Sequence, residues 1–267
     1  MGLREIGAAL CLLALLGLTP LGGACRLSAC LVGSLTRVPA EGGVSGSSSI
    51  SLLCARGEYE SFQVVVSSPA DTSVEVELLR FVSPSGGEIP LSCFKLYKEV
   101  YIHVSRHTPG ARVGWSLIPD ALVPLGPGGR RFLLEVEAGK NLVLWVDVHA
   151  PREAEAGAYH GGVLVKVGLW EARLDVTVAI LDFTLPVRQS MNTMFLVDEW
   201  RLAEYYGLEA FSRRHLELTR RLYELLAEHR LSPGLLIDAI PELCEDEPAD
   251  FSYATHLGQQ RAQLSTT

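Results

Sequence analysis

Leu174-Asp175-Val176-Thr177-Val178-Ala179-Ile180, running on through Leu181-Asp182-Phe183-Thr184-Leu185-Pro186, marks where the hydrophobic rhythm of the chain changes. Up to Ile180 every second residue is apolar, which buries one face of a strand and wets the other. The same period recurs upstream in Phe62, Val64 and Val66, in Val74, Val76 and Leu78, and in Leu96, Val100, Ile102 and Val104. It continues in Phe132, Leu134 and Val136, in Leu142, Leu144, Val146 and Val148, and in Val163, Val165 and Val167. Turn chemistry separates the runs at Ser67-Ser68-Pro69, Pro84-Ser85-Gly86-Gly87, Gly126-Pro127-Gly128-Gly129 and Ala156-Gly157. Short alternating strands with regular breaks predict an antiparallel β-sandwich over 44–186.

After Pro186 the period becomes that of a helix. Met194-Phe195-Leu196-Val197 lacks polar alternation, as a strand buried on both faces would. Gly207 precedes a helical stretch with Phe211, Leu218, Leu222, Leu225 and Leu226 on one stripe. Arg213, Arg214, Glu217, Arg220, Arg221, Glu224 and Glu228 fill the other side, with Glu217 and Arg221 spaced to pair. Ser232-Pro233-Gly234 is expected to stop this helix, and Leu235-Leu236-Ile237 to form a second buried strand. Strand, helix, strand predicts a βαβ unit of a parallel sheet. A closed (β/α)8 barrel takes about 250 residues, at roughly 30 per step. The stretch 187–267 therefore reads as an incomplete barrel fragment, and its polar end, 258–267, offers no further strand. The expected fold class is mainly β, a sandwich followed by a truncated β/α segment resembling the first units of such a barrel.

Residues 1–24 have the form of a signal peptide. Arg4 is followed by an apolar run from Ile6 to Leu18, then Thr19-Pro20 and the small residues Gly22-Gly23-Ala24. The run is short for a permanent membrane span, and a buried N-terminal helix would carry no polar face for water. The expected location is secreted or periplasmic. Cleavage after Ala24 would expose Cys25 and raises a lipid anchor at the cell surface as the alternative. Leu21 stands one position too far from Cys25 for the usual lipoprotein pattern. Residues 25–43 read as a linker. Cys25, Cys30, Cys54, Cys93 and Cys244 are odd in number and irregularly spaced, which is no disulfide framework. None forms a C-x-x-C pair, so no zinc site is expected, and Cys54 and Cys93 suit a core. The formal charge of −8 disfavours a nucleic-acid partner.

Several blocks occur in one order: Ala55-Arg56-Gly57-Glu58-Tyr59-Glu60-Ser61-Phe62-Gln63-Val64-Val65-Val66, Tyr97-Lys98-Glu99-Val100-Tyr101, and Ile118-Pro119-Asp120-Ala121-Leu122-Val123-Pro124. Leu144-Trp145-Val146-Asp147-Val148-His149-Ala150-Pro151, Ala156-Gly157-Ala158-Tyr159-His160-Gly161-Gly162 and Leu181-Asp182-Phe183-Thr184-Leu185-Pro186 follow. Over roughly Val44 to Pro186 the series resembles the N-terminal domain of glycoside hydrolase family 123 and its relatives. The resemblance implies a sandwich joined to a (β/α)8 barrel that hydrolyses β-linked N-acetylgalactosamine. It also implies substrate-assisted, retaining chemistry, in which the substrate's 2-acetamido group attacks the anomeric carbon. An adjacent Asp-Glu pair orients the amide and serves as acid and base, outside the ordinary two-carboxylate scheme. That pair would lie beyond the end of this chain, so no catalytic residue, cofactor or metal is assigned here.

Asp198-Glu199-Trp200 follows the first barrel-like strand, where barrel enzymes carry functional groups. These three are the candidate substrate-binding residues, with acidic starts of a helix as the plainer explanation. Trp145, Asp147 and His149 share one strand face, but no placed nucleophile accompanies them. Tyr97, Tyr101 and Trp145 are expected to pack between domains. His103 and His107 have helical spacing on a strand and a loop, which does not suit a metal. Glu58 and Glu60 are expected to make structural hydrogen bonds. The acidic run of Glu242, Glu245, Asp246, Glu247 and Asp250, broken by Pro241 and Pro248, reads as a solvated loop. Two functions follow: a secreted fragment of a family 123-like enzyme, inactive alone, or a non-catalytic secreted sandwich that binds glycan or protein. A surface module anchored through Cys25 is a third.

Overall fold

The computed structural model describes residues 26–106, 110, 116–126, 129–187 and 193–235. Among the described residues twelve strands precede Pro186: β1 (Ser28–Gly33), β2 (Ser49–Arg56), β3 (Tyr59–Ser67), β4 (Thr72–Leu78), β5 (Phe81–Val82) and β6 (Glu88–Ile89), then β7 (Phe94–His103), β8 (Leu117–Pro124), β9 (Arg131–Val136), β10 (Asn141–His149), β11 (Gly157–Val167) and β12 (Trp170–Thr184). One sheet runs β1-β3-β10-β7-β8 and the other β2-β12-β11-β4-β9, with β5 and β6 attached beside β11. Within these two sheets the described pairings are antiparallel except where β2 lies parallel to β12.

The alternating residues build the core. Phe62, Val64 and Val66 of β3 and Leu142, Leu144, Val146 and Val148 of β10 share one cluster with Val74, Val76 and Leu78 of β4. Val163 and Val165 of β11 and Leu174, Val176, Val178 and Ile180 of β12 complete it. Cys54 lies in this core, and its burial, with Glu58 and Glu60 nearby, pushes the thiol up to about 11, so it stays protonated. Gly57 (φ +77°) turns the chain from β2 into β3, and a Cβ there would stand 2.9 Å from the Arg152 guanidinium. Glu58 braces the same turn by accepting from the Ala55 N–H at 2.6 Å. Glu77 of β4 is buried yet ionic, paired with Arg130 at 2.9 Å and Arg131 at 3.1 Å.

Several expectations are corrected. The first concerns the expected linker 25–43, of which 26–43 are described: β1 pairs along β3, and the segment after it lies across the outer face of that sheet. Gln63 Nε2 donates to the carbonyls of Gly33 (3.0 Å) and Thr36 (2.8 Å). Tyr101 donates to Val38 O at 3.0 Å, and Asn141 Nδ2 to Pro39 O at 2.9 Å and Gly42 O at 3.1 Å. This strap buries Val65 and Val143 with Val32 and Val38, so β3 and β10 are dry on both faces where alternation predicted one. The second concerns β7. Beyond Lys98 its pairing among the described residues is with β8, and Val100 and Ile102 are exposed rather than core.

The second unit starts at Pro186. It holds β13 (Phe195–Val197), α1 (Glu199–Tyr205), α2 (Arg213–Glu228) and β14 (Pro233–Leu235), with β13 and β14 parallel. Here further corrections fall. Phe195 and Leu196 are exposed and only Val197 of β13 is buried. Among the described residues this sheet has two strands, which cannot by themselves cover both faces of β13. The helical stripe is shifted too. His215, Thr219 and Leu226 are the buried residues of α2, while Leu225 is half exposed and Phe211 precedes the helix. The helix ends before Ser232, because the Arg230 N–H bonds Ala227 O and the Leu231 N–H bonds Leu226 O. Arg230, at φ +61°, makes that left-handed closure, and Pro233 begins β14 instead. Among the described residues no helix is long and apolar enough to cross a membrane.

Candidate functional site

Asp198, Glu199 and Trp200 leave β13 together and part at once. Asp198 starts α1: its Oδ1 accepts from the Arg201 N–H at 2.9 Å and its Oδ2 pairs with the Arg201 guanidinium at 3.2 Å. A carboxylate there satisfies an amide the helix leaves open and faces the positive end of its dipole. Glu199 turns to α2, where the Tyr223 hydroxyl donates to its Oε1. Trp200, 51% exposed, meets the ring of Phe211 edge-on, with centroids 5.2 Å apart and planes at 90°. Two acids acting on one bond must converge on one space. Here one carboxylate is folded onto its own helix and the other is held by a tyrosine. An open cleft of about 810 Å3 at the end of β13 is lined by Phe195, Asp198, Arg201, Tyr205, Tyr206 and Leu222, without Glu199 or Trp200.

The residue that joins Glu199 to Phe211 has no signature in the sequence. His215 is 1% exposed, its Nδ1 accepting from the Phe211 N–H at 3.0 Å and its Nε2 lying 3.0 Å from the Glu199 carbonyl. An Nδ1 that accepts carries no proton, so Nε2 bears it and donates to Glu199 O. Phe211 sits at φ +61°, a left-handed backbone that costs a side chain about 1–2 kcal/mol. Ser212 caps α2, its Oγ accepting from the His215 N–H at 3.3 Å. Ser212 before a helical run is a legible cap. His215 is not, because both its partners are main-chain atoms brought in by the fold.

On the sandwich, Trp145 stands between Tyr97 and Gln63 across the strands. Its indole N–H and the Ser61 hydroxyl both donate to Asp147 Oδ1 at 2.7 Å. His149 stacks on Tyr59 with centroids 4.4 Å apart, and the Lys95 ammonium lies 5.8 Å from the Tyr59 centroid. Burial, then Lys95 and Arg152, pulls His149 below its ordinary value. A relay of the serine-protease kind needs serine on histidine and histidine on aspartate. Ser61 donates straight to Asp147, so the patch is a hydrogen-bonded brace. Of the three residues expected between domains, Tyr97 and Trp145 are neighbours. Tyr101 is instead bound to the strap of its own unit, where burial and Glu99 push its phenol up. His103 ends β7, whereas His107, Cys25, Cys244, the leader 1–24 and the acidic run 242–250 lie outside the described residues. Among the described residues no three His, Cys, Asp or Glu side chains converge as a metal site requires.

No protein-family model matches the chain, and no curated protein matches its sequence. Among solved structures it is similar to a family 123 glycoside hydrolase from Clostridium perfringens, analysed for glycolipid glycan hydrolysis. The TM-score is 0.61 at 17% identity, over 76% of this chain and 36% of that one. The CooA pilin subunit of enterotoxigenic Escherichia coli gives 0.30 at 15% identity, over 60% and 99% of the two chains. MyfA, the major subunit of Myf fimbriae from Yersinia enterocolitica, gives 0.28 at 12%, over 56% and 97%. The first likeness, at that identity, is one of fold, and the chain spans about a third of the enzyme's length: this protein has a fold like that of a family 123 glycoside hydrolase.

Proposed function

We propose that this chain is the secreted, N-terminal part of a family 123-like glycoside hydrolase acting on β-linked N-acetylgalactosamine, and that it is inactive alone. The sandwich is then the companion domain, and β13, α1, α2 and β14 are the opening of the catalytic barrel. The fold likeness to the Clostridium perfringens enzyme carries this reading, since it extends over 76% of the chain, more than the sandwich unit occupies. Glu199 and Trp200 contact the amino sugar, the indole face taking the apolar side of the ring and the carboxylate a hydroxyl. Asp198 is left to its helix. No step of bond cleavage falls to these residues, because the two acids do not converge.

The test is the natural reading frame expressed whole, beside the 267-residue chain. Hydrolysis of a chromogenic β-N-acetylgalactosaminide by the first and not by the second is expected. A reading frame without further β/α units, giving a protein without hydrolytic activity, removes the enzyme and leaves a non-catalytic secreted sandwich. Mass spectrometry of the mature N-terminus decides between a free end after Ala24 and a lipid on Cys25.

A further inference from the structure

Trp200 and Phe211 meet edge to face, two rings at right angles and each about half exposed. Apolar rings left in water at a strained residue need a cause. Phe211 is held in its left-handed conformation where its N–H reaches His215, and its ring is thereby brought to the edge of Trp200. The other nitrogen of the same imidazole holds the Glu199 carbonyl, one residue before Trp200. Tyr223, two turns further along α2, fixes the Glu199 carboxylate. One buried side chain thus ties the backbone beside both rings to α2, and Tyr223 ties the acid.

We infer that His215, as its Nε2–H tautomer, is the positioning residue that sets Trp200, Phe211 and Glu199 as one surface for a face of a sugar ring, Phe211 being its second wall. The sugar rests on the function proposed above, whereas the clamp rests on the hydrogen bonds. A pyranose offers C–H groups to an aromatic wall and hydroxyls to a carboxylate, and each of the two rings keeps about half of its surface open for such a contact. His215 touches no ligand. It acts through the backbone of Glu199 and Phe211.

Acrylamide quenching of Trp200, isolated by subtracting the Trp200→Phe protein, reads the clamp. Titration with N-acetylgalactosamine by ligand-observed NMR reads the surface. His215→Asn keeps an acceptor near the Phe211 N–H, while His215→Leu keeps bulk and loses both bonds. The clamp predicts Asn near wild type and Leu with Trp200 more quenched and sugar binding weaker by about ten-fold, as for Trp200→Ala. Packing alone predicts the reverse order, and that order, or no difference between the two variants, overturns the proposal. Should His215→Leu not fold, the long-range proton–nitrogen spectrum of the unaltered protein decides. An Nδ1–H or doubly protonated ring at His215 sinks the clamp and the Nε2–H form supports it. A wild-type chain that ignores N-acetylgalactosamine but keeps the quenching order loses the glycan and keeps the positioning role.

Discussion

Val64-Val65-Val66 in the sandwich and Phe195-Leu196-Val197 after Pro186 are both unbroken apolar runs, yet they meet opposite fates. Val64, Val65 and Val66 are all buried, whereas Phe195 and Leu196 face water. The difference lies in what covers them. β3 has β1 and β10 on its two edges, the second sheet on one face and the strap on the other. β13 has β14 beside it and a pair of helices after it. Burial is a property of neighbours, and a run of apolar residues states only a demand for them.

The contrast can be broken most directly by proteolysis. Limited digestion is expected to remove residues after about Pro186 and leave the sandwich whole, as judged by mass spectrometry. A single cooperative melt without early cleavage there would erase the distinction between the units. Next in size, Phe62→Ala in the sandwich core should cost about 3–5 kcal/mol, against under about 1 for Leu225→Ala on the half-exposed side of α2. Denaturant titrations of both variants compare them, and equal losses would mean that α2 is as tightly covered as β3.

Glu77→Ala should cost about 1–2 kcal/mol in the same titration. Both arginines keep much of their surface in water, which discounts the buried pair. An unchanged midpoint would mean that the ion pairs merely offset their own desolvation. Asp198→Ala should cost the second unit about 1 kcal/mol through the lost cap, without reducing sugar binding. A loss of affinity for N-acetylgalactosamine at unchanged stability would add Asp198 to the proposed binding surface. The smallest effect is acid titration of α2. Hydrogen bonds from Arg220, then Arg221, hold the Glu217 carboxyl at about 2, below its ordinary 4.5. Its stabilising contribution is complete above the ordinary value and lost as pH falls toward the lower one, and salt weakens it. Far-UV circular dichroism of wild type against Glu217→Gln reads this, and superimposable acid curves would exclude it.

How much could be read in advance follows the range of each interaction. The inner faces of β3, β4, β10, β11 and β12 were legible because alternation is local and the partner sheet must supply a matching face. Asp198 as the start of a helix was legible for the same reason, since its partner is three residues away. The strap was not. Gln63, Tyr101 and Asn141 reach carbonyls 27 to 102 residues away, and a carbonyl has no sequence signature. His215 was missed likewise, since it bonds main-chain atoms of Phe211 and Glu199.

Amino-acid order alone determined where strands alternate, where the rhythm turns helical and which residues cap, because each of these is decided within a few residues along the chain. Tertiary structure alone decided which apolar runs stay dry, which tyrosine is tied down and whether Asp198 and Glu199 act together. Those outcomes depend on groups distant in sequence meeting in space, and their free energy arises only once the sheets and helices have come together.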